Sequence, residues 1–129
     1  MAMARILIVD DELYVLKMLT TSLADEDYDI VATTRGDNAA EMIRSDETFD
    51  LLVSDIYMRP VSGLDLLKLA REVRPSMPVM MMTAFHDTDI IDEIFKIGGF
   101  AFLQKPFDAD AFCNKIRLSL TSRKEKKPD

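Results

Sequence analysis

The strongest constraint on this chain is a recurring unit: a short apolar run that ends in a polar residue, followed by a stretch with helical spacing. Arg5-Ile6-Leu7-Ile8-Val9 leads into Asp10-Asp11, and Leu51-Leu52-Val53-Ser54 into Asp55. Val79-Met80-Met81-Met82 leads into Thr83, and Phe100-Ala101-Phe102-Leu103 into Gln104-Lys105. Such runs suit strands buried on both faces, and strands alternating with helices pair in parallel through crossover connections. The carboxyl ends of those strands open on one edge of the sheet, where α/β folds bind ligands. Asp10, Asp11, Asp55, Thr83 and Lys105 are therefore expected to meet in one crevice although the chain scatters them widely. Three carboxylates, a hydroxyl and an ammonium suit a hard cation and a phosphoryl group.

Periodicity predicts five strand and helix pairs. The first strand spans 5–9, and Leu16, Leu19 and Leu23 share one face of the helix after it. A second strand spans 28–33, Gly36 makes a turn, and Ala39, Met42 and Ile43 mark a short amphipathic helix. After the third strand, a loop rich in turn formers precedes a helix carrying Leu66, Leu67, Ala70 and Val73, which Pro75 stops. Pro78 opens the fourth strand, where a missing N–H does no harm. Asp87 caps a helix carrying Ile90, Ile91, Ile94 and Ile97, and Gly98-Gly99 ends it. The fifth strand runs into Lys105-Pro106; Asp108 caps a last helix with Phe112, Ile116 and Leu120 at intervals of four. The expected fold is a three-layer α/β/α sandwich.

A chain of 129 residues is the size of one domain, and 48% hydrophobic with 30% charged residues is a globular composition. Its apolar runs are too short to span a bilayer and its start does not resemble a secretory signal, so no membrane contact is expected and the cytoplasm is the expected compartment. The single cysteine, Cys113, excludes an internal disulfide and reads as a core thiol beside Phe112, Ile116 and Leu120. Residues 123–129 hold four basic against two acidic residues, so the net charge of −7 becomes −9 for residues 1–122. A body this acidic repels nucleic acid, so no direct nucleic-acid binding is expected. The basic tail reads as a solvated helix end or linker stub.

Adjacent Asp10 and Asp11 repel unless a cation neutralises them, and oxygen ligands with an incomplete protein shell favour Mg²⁺. Helix capping is the competing explanation of such a pair. Asp55 is a carboxylate able to attack phosphorus and form an acyl phosphate where metal and ammonium groups absorb the developing charge. Thr83 offers a hydroxyl donor to a phosphoryl oxygen, and Lys105 a point charge for that group or for Asp55. Each of these residues alone has a plainer explanation: loop capping, a strand-end hydroxyl, a solvated lysine.

Taken in order, Asp10-Asp11, Asp55, Thr83-Ala84 and Phe102-Leu103-Gln104-Lys105-Pro106-Phe107 resemble the receiver domain of bacterial two-component response regulators, over about 5–120. The resemblance implies a flavodoxin-like five-stranded parallel sheet in the order 2-1-3-4-5, with residues 1–122 as the phosphoacceptor domain. It implies that Asp55 is phosphorylated and also binds Mg²⁺, that Asp11 binds Mg²⁺ directly, that Asp10 binds it through water, and that the Tyr57 carbonyl is a further ligand. Thr83 and Lys105 would bind the phosphoryl group, Lys105-Pro106 would be cis, and Phe102 would be the aromatic switch, turning from an exposed to a buried rotamer. The implied partners are a sensor histidine kinase or phosphotransfer protein, a downstream effector protein or fused output domain, and a second copy in a phosphorylation-dependent homodimer. Such a domain catalyses only its own phosphotransfer and dephosphorylation.

One departure concerns the loop after Asp55. Receivers commonly place proline four residues beyond the phosphorylated aspartate, where Arg59 stands here, with Pro60 one later. That puts the aim of the Tyr57 carbonyl in question and brings a cation near the acidic pocket. Tyr57 and Phe85, each two residues beyond a pocket residue, add bulk at its flank, which would slow attack by water. His86, the only histidine, reads as a surface residue rather than a phosphodonor, and Met80-Met81-Met82 as core. Two rivals are a metal-dependent phosphohydrolase, which would want a second acid at Tyr57, and a flavodoxin-like electron carrier, whose FMN phosphate Asp10-Asp11-Glu12 would repel. The text between Thr83 and Lys105 resembles receivers fused to transcriptional output domains, so a piece of a longer regulator is expected.

Overall fold

The computed structural model describes residues 3–85 and 87–125, with side chains through Thr121. His86 lies outside the described residues, as does the 123–129 tail apart from the backbone of 123–125, which continues the last helix. The elements are β1 (Ala4–Val9), α1 (Leu13–Ser22), β2 (Tyr28–Thr33), α2 (Gly36–Arg44), β3 (Leu51–Asp55), α3 (Gly63–Val73), β4 (Val79–Thr83), α4 (Thr88–Ile97), β5 (Ala101–Gln104) and α5 (Ala109–Glu125). All strand pairs are parallel, in the order β2-β1-β3-β4-β5.

Because side chains alternate along a strand, one buried run can serve two cores. Ile6, Ile8, Leu51, Val53, Met80 and Met82 face α1 and α5, where Leu16, Leu19, Phe112, Ile116 and Leu120 meet them. Leu7, Val9, Leu52, Val79 and Met81 face the other way, onto Ala39, Ile43, Leu66, Leu67, Ala70 and Ile94 of α2, α3 and α4. The methionine triplet is wholly buried, as core methionines should be. Register then sets the site: Val9 pairs with Ser54, Asp55 with Met82 and Thr83 with Gln104, so β1, β3, β4 and β5 end side by side.

Helix ends follow local chemistry. Asp87 accepts the amides of Asp89 and Ile90, Asp108 accepts that of Ala111, and Ser62 with Asp65 forms a reciprocal capping box. Gly98 ends α4 with φ +114°, where a side chain would be strained. Pro78 sits just before β4, and its carbonyl accepts the Leu52 amide.

Three local expectations need correcting. Gly36 is the first residue of α2 rather than a turn; a Cβ there would lie 2.4 Å from the Val61 carbonyl oxygen, so glycine serves a close approach. Leu23 lies past the end of α1 yet is buried, because the chain turns back beneath it. Cys113 is half-buried at the α1–α5 seam rather than in the core: one residue from Phe112 is a 100° rotation off the buried stripe, and its thiol donates to the Ser22 carbonyl at 3.3 Å. Burial pushes that thiol up from its ordinary value.

α4 buries one residue fully, Ile94, with Ile90, Ile91 and Ile97 half-buried around it. Ile94→Ala should lower the unfolding free energy by about 2–5 kcal/mol in urea titrations. Ile91→Ala should lose less than half as much.

Candidate phosphoryl-transfer site

Asp10 follows β1 directly and has no exposed surface. A buried carboxylate needs donors for both oxygens. Asp10 has them: Oδ1 accepts the Glu12 amide at 3.0 Å and Oδ2 accepts Lys105 Nζ at 2.6 Å. Lys105 reaches this point because its own amide donates to the Thr83 carbonyl at 2.7 Å, continuing the β4–β5 pairing one residue past the strand.

Asp55, the last residue of β3, is 8% exposed. Its Oδ1 accepts the Ile56 amide at 3.0 Å and lies 3.7 Å from Lys105 Nζ. Oδ2 has no protein donor among the described residues. Asp11 is exposed, and single carboxylate oxygens of Asp10, Asp11 and Asp55 lie within 4.8 Å of one another. Three hard oxygen donors gathered so closely around open space fit a Mg²⁺ ion that keeps part of its water shell. Sequence reasoning had no signal for the Glu12 and Ile56 amides, since every residue but proline carries that donor.

Thr83 is buried, and its Oγ1 accepts the Phe85 amide at 3.1 Å. Tyr57 is exposed, its ring edge-on to that of Phe85. Phe102 is half-buried, packing against the α4 side of the core while also lining a groove open to solvent. The Lys105–Pro106 bond is cis, and so is Arg59–Pro60. The loop carrying Tyr57 is pinned at both ends. The Gly63 amide donates to the Ile56 carbonyl at 2.8 Å, and a Cβ on Gly63 would lie 2.0 Å from the Asp55 carbonyl oxygen. Arg59 is exposed and makes no ion pair among the described residues.

A family description, the response regulator receiver domain, matches residues 6–117. The chain belongs to this family. The receiver is 34% identical over 116 residues to the transcriptional regulatory protein ZraR of Klebsiella oxytoca, covering 90% of this chain and 25% of that protein. It is 32% identical to the DNA-binding transcriptional regulator NtrC of Proteus hauseri, covering 93% of this chain and 25% of that one. The receiver thus spans about a quarter of the length of these relatives. Among solved structures it is similar to a CheY-like response regulator receiver domain protein from Methanospirillum hungatei, with TM-score 0.92, 26% identity, and 98% and 100% of the two chains covered. NtrX from Brucella abortus, with TM-score 0.88 and 28% identity, is matched over 97% of this chain and 29% of that one. The receiver therefore has a signalling role, within a family whose members are phosphorylated and bind Mg²⁺ at an acidic pocket.

Burial raises the Asp55 carboxyl from 3.8 to about 6; Lys105 opposes the shift, Asp10 adds to it, the Ile56 amide opposes it and Asp11 adds a little. The folded value lies above the unfolded one, so the protonated form favours the fold. Stability of the metal-free protein should fall as pH rises from about 4 to about 6, and Asp55→Asn should remove that slope in urea titrations. Carbon-detected NMR should place the Asp55 midpoint near 6, higher in Lys105→Ala and lower with Mg²⁺. A midpoint at 3.8 would contradict the burial effect.

Proposed function

We propose that Asp55 accepts a phosphoryl group from a phosphohistidine of a sensor histidine kinase or phosphotransfer protein. The observation that carries this reading is Lys105 Nζ set inside the carboxylate cluster, 2.6 Å from Asp10 and 3.7 Å from Asp55. Asp55 Oδ2, the oxygen without a donor, attacks phosphorus; the new O–P bond replaces the P–N bond to the imidazole, which leaves with the bonding pair. Lys105 shifts onto a phosphoryl oxygen, and the Thr83 hydroxyl donates to another. Asp11, Asp10 through water, and the Tyr57 carbonyl would hold Mg²⁺, whose charge opposes that on the phosphoryl oxygens. The acyl phosphate is lost when water attacks phosphorus and the O–P bond breaks, returning the Asp55 carboxylate and inorganic phosphate, so the domain turns over no metabolite.

Residues 1–122 act as the phosphoacceptor body, with 123–129 as a link to a downstream effector or fused output domain, as the longer relatives suggest. A cytoplasmic location fits: among the described residues no helix is long and apolar enough to cross a membrane. The body's negative charge disfavours direct contact with nucleic acid.

The output face is α4, β5 and α5. A groove of about 620 Å³ there is lined by Phe95, Phe100, Phe102, Lys115 and Leu118, with Leu118 61% exposed. Acidic Asp92 and Glu93 on α4 and Lys115 on α5 make this face complementary to itself, as a two-fold dimer requires. Phe102, lacking a tyrosine's hydroxyl, has no polar tip to keep wet, so its inward position is partly populated before phosphorylation.

Acetyl phosphate with Mg²⁺ should add one phosphoryl mass, and Asp55→Asn should abolish that gain. Lys105→Ala should slow it roughly 10²- to 10³-fold, while the response at Phe102 disappears. Unslowed labelling of Asp55→Asn would refute the assignment. With beryllofluoride, sedimentation velocity should show a modest rise in dimer, lost in Leu118→Asp.

A further inference from the structure

Two aromatic rings beside the site take no part in the chemistry above. Tyr57, on the loop after β3, and Phe85, on the loop after β4, are 43% and 64% exposed. Their rings meet edge to face, with centroids 5.3 Å apart and planes at 90°. They bridge these loops beside a cleft that Asp87 and Thr88 complete at the start of α4. Phe85 is also tied at its other end, because its amide donates to Thr83 Oγ1 at 3.1 Å. One residue thus links an exposed ring contact to the hydroxyl that must serve the phosphoryl group.

We propose that the Tyr57–Phe85 contact is a latch that holds Thr83 in its resting position. The inference rests on the phosphoacceptor reading of Asp55. In the resting geometry Thr83 Oγ1 closes a short turn by accepting the amide two residues ahead. That local bond competes with any arrangement in which the side chain faces another partner. A β-branched side chain moves between few rotamers, so turning Oγ1 toward a phosphoryl oxygen takes it away from the Phe85 amide or drags that amide along. The first leaves the Phe85 amide without its acceptor and loosens the turn that positions its ring, and the second shifts the Phe85 backbone; both weaken the contact with Tyr57. The edge contact is therefore part of the free energy opposing the switch. A pair of this geometry biases a two-state balance roughly 2- to 12-fold.

The bias is set by this chain's side chains at two exposed positions, so Phe85 can be altered away from the reacting groups, while Tyr57 variants keep the backbone carbonyl assigned to Mg²⁺ and are compared at saturating metal. With Mg²⁺ saturating, beryllofluoride as the phosphoryl mimic and the full chain, Phe85→Ala should bind roughly 2- to 12-fold more tightly than wild type. Phe85→Tyr, which keeps the ring edge, should bind as wild type does. Tyr57→Ala should gain as much as Phe85→Ala, and the double variant no more than either alone, because one contact is lost only once. Equal or weaker binding by Phe85→Ala, or additive gains in the double variant, would overturn the latch. Failure of the wild type to bind beryllofluoride at all would overturn the phosphoacceptor reading and the latch together.

Discussion

The structure depends on putting ionised oxygen where an apolar sheet ends. Asp10 is out of water entirely, and its charge is tolerable only because the Glu12 amide and the Lys105 ammonium occupy both oxygens. The ammonium comes from the far edge of the sheet. β5 is three strands from β1, and neighbouring strands are about 4.8 Å apart, so Lys105 crosses the ends of β4 and β3 to reach Asp10. This ties the charge balance of the pocket to the strand order. Were β5 placed elsewhere, the buried carboxylate would have no counterion.

That balance is incomplete by design of the residues themselves. Three carboxylates face one ammonium, and Asp55, pushed up first by burial and further by Asp10 and Asp11 against the pull of Lys105, holds a proton more tightly than a free carboxyl does. A surplus of buried negative charge weakens a fold and at the same time creates appetite for a cation. Two apolar clusters, one on each face of the sheet, supply the stability that the pocket gives up. At the opposite edge the chemistry is inverted: Arg5 and Arg74 lie over the Phe49 ring at 4.9 and 5.2 Å, and Arg74 donates to the Ile43 carbonyl at the end of α2. Arg5 there also pairs with Asp29 at 3.2 Å and Glu47 at 2.9 Å, so cations at this end are matched by carboxylates, carbonyls and an aromatic face.

Much of this was legible in the sequence because burial and periodicity are local. Ile6 to Val9, Leu51 to Val53 and Val79 to Met82 announce two-sided strands without any knowledge of partners, and Asp87, Gly98 and Asp108 act within three residues of where they stand. The convergence of Asp10, Asp55, Thr83 and Lys105 followed from strand direction alone. What stayed hidden depends on distant segments meeting. Gly36 looks like a turn until Val61 is found against it, and Gly63 gives no hint that the Asp55 carbonyl lies beside it. The stack of Arg5, Phe49 and Arg74 joins three places in the chain through nonspecific residue types. The ring contact of Tyr57 and Phe85 is of the same kind: bulk at each position was visible, but not that the two touch.

The end of α4 has a mechanical consequence. Arg71, from α3, donates to the Gly98 carbonyl at 3.5 Å, and the Gly99 amide returns to the Ile94 carbonyl at 2.8 Å, so the C-terminal turn is fastened to its neighbours. The other end begins at Asp87, two residues from Phe85, on an exposed loop. A ten-residue helix is about 15 Å long. Held near Gly98, α4 would answer a displacement at Asp87 by tilting rather than sliding, with the excursion large at Asp89 and small at Phe95, so its acidic start would sweep the surface while its apolar end stays in place.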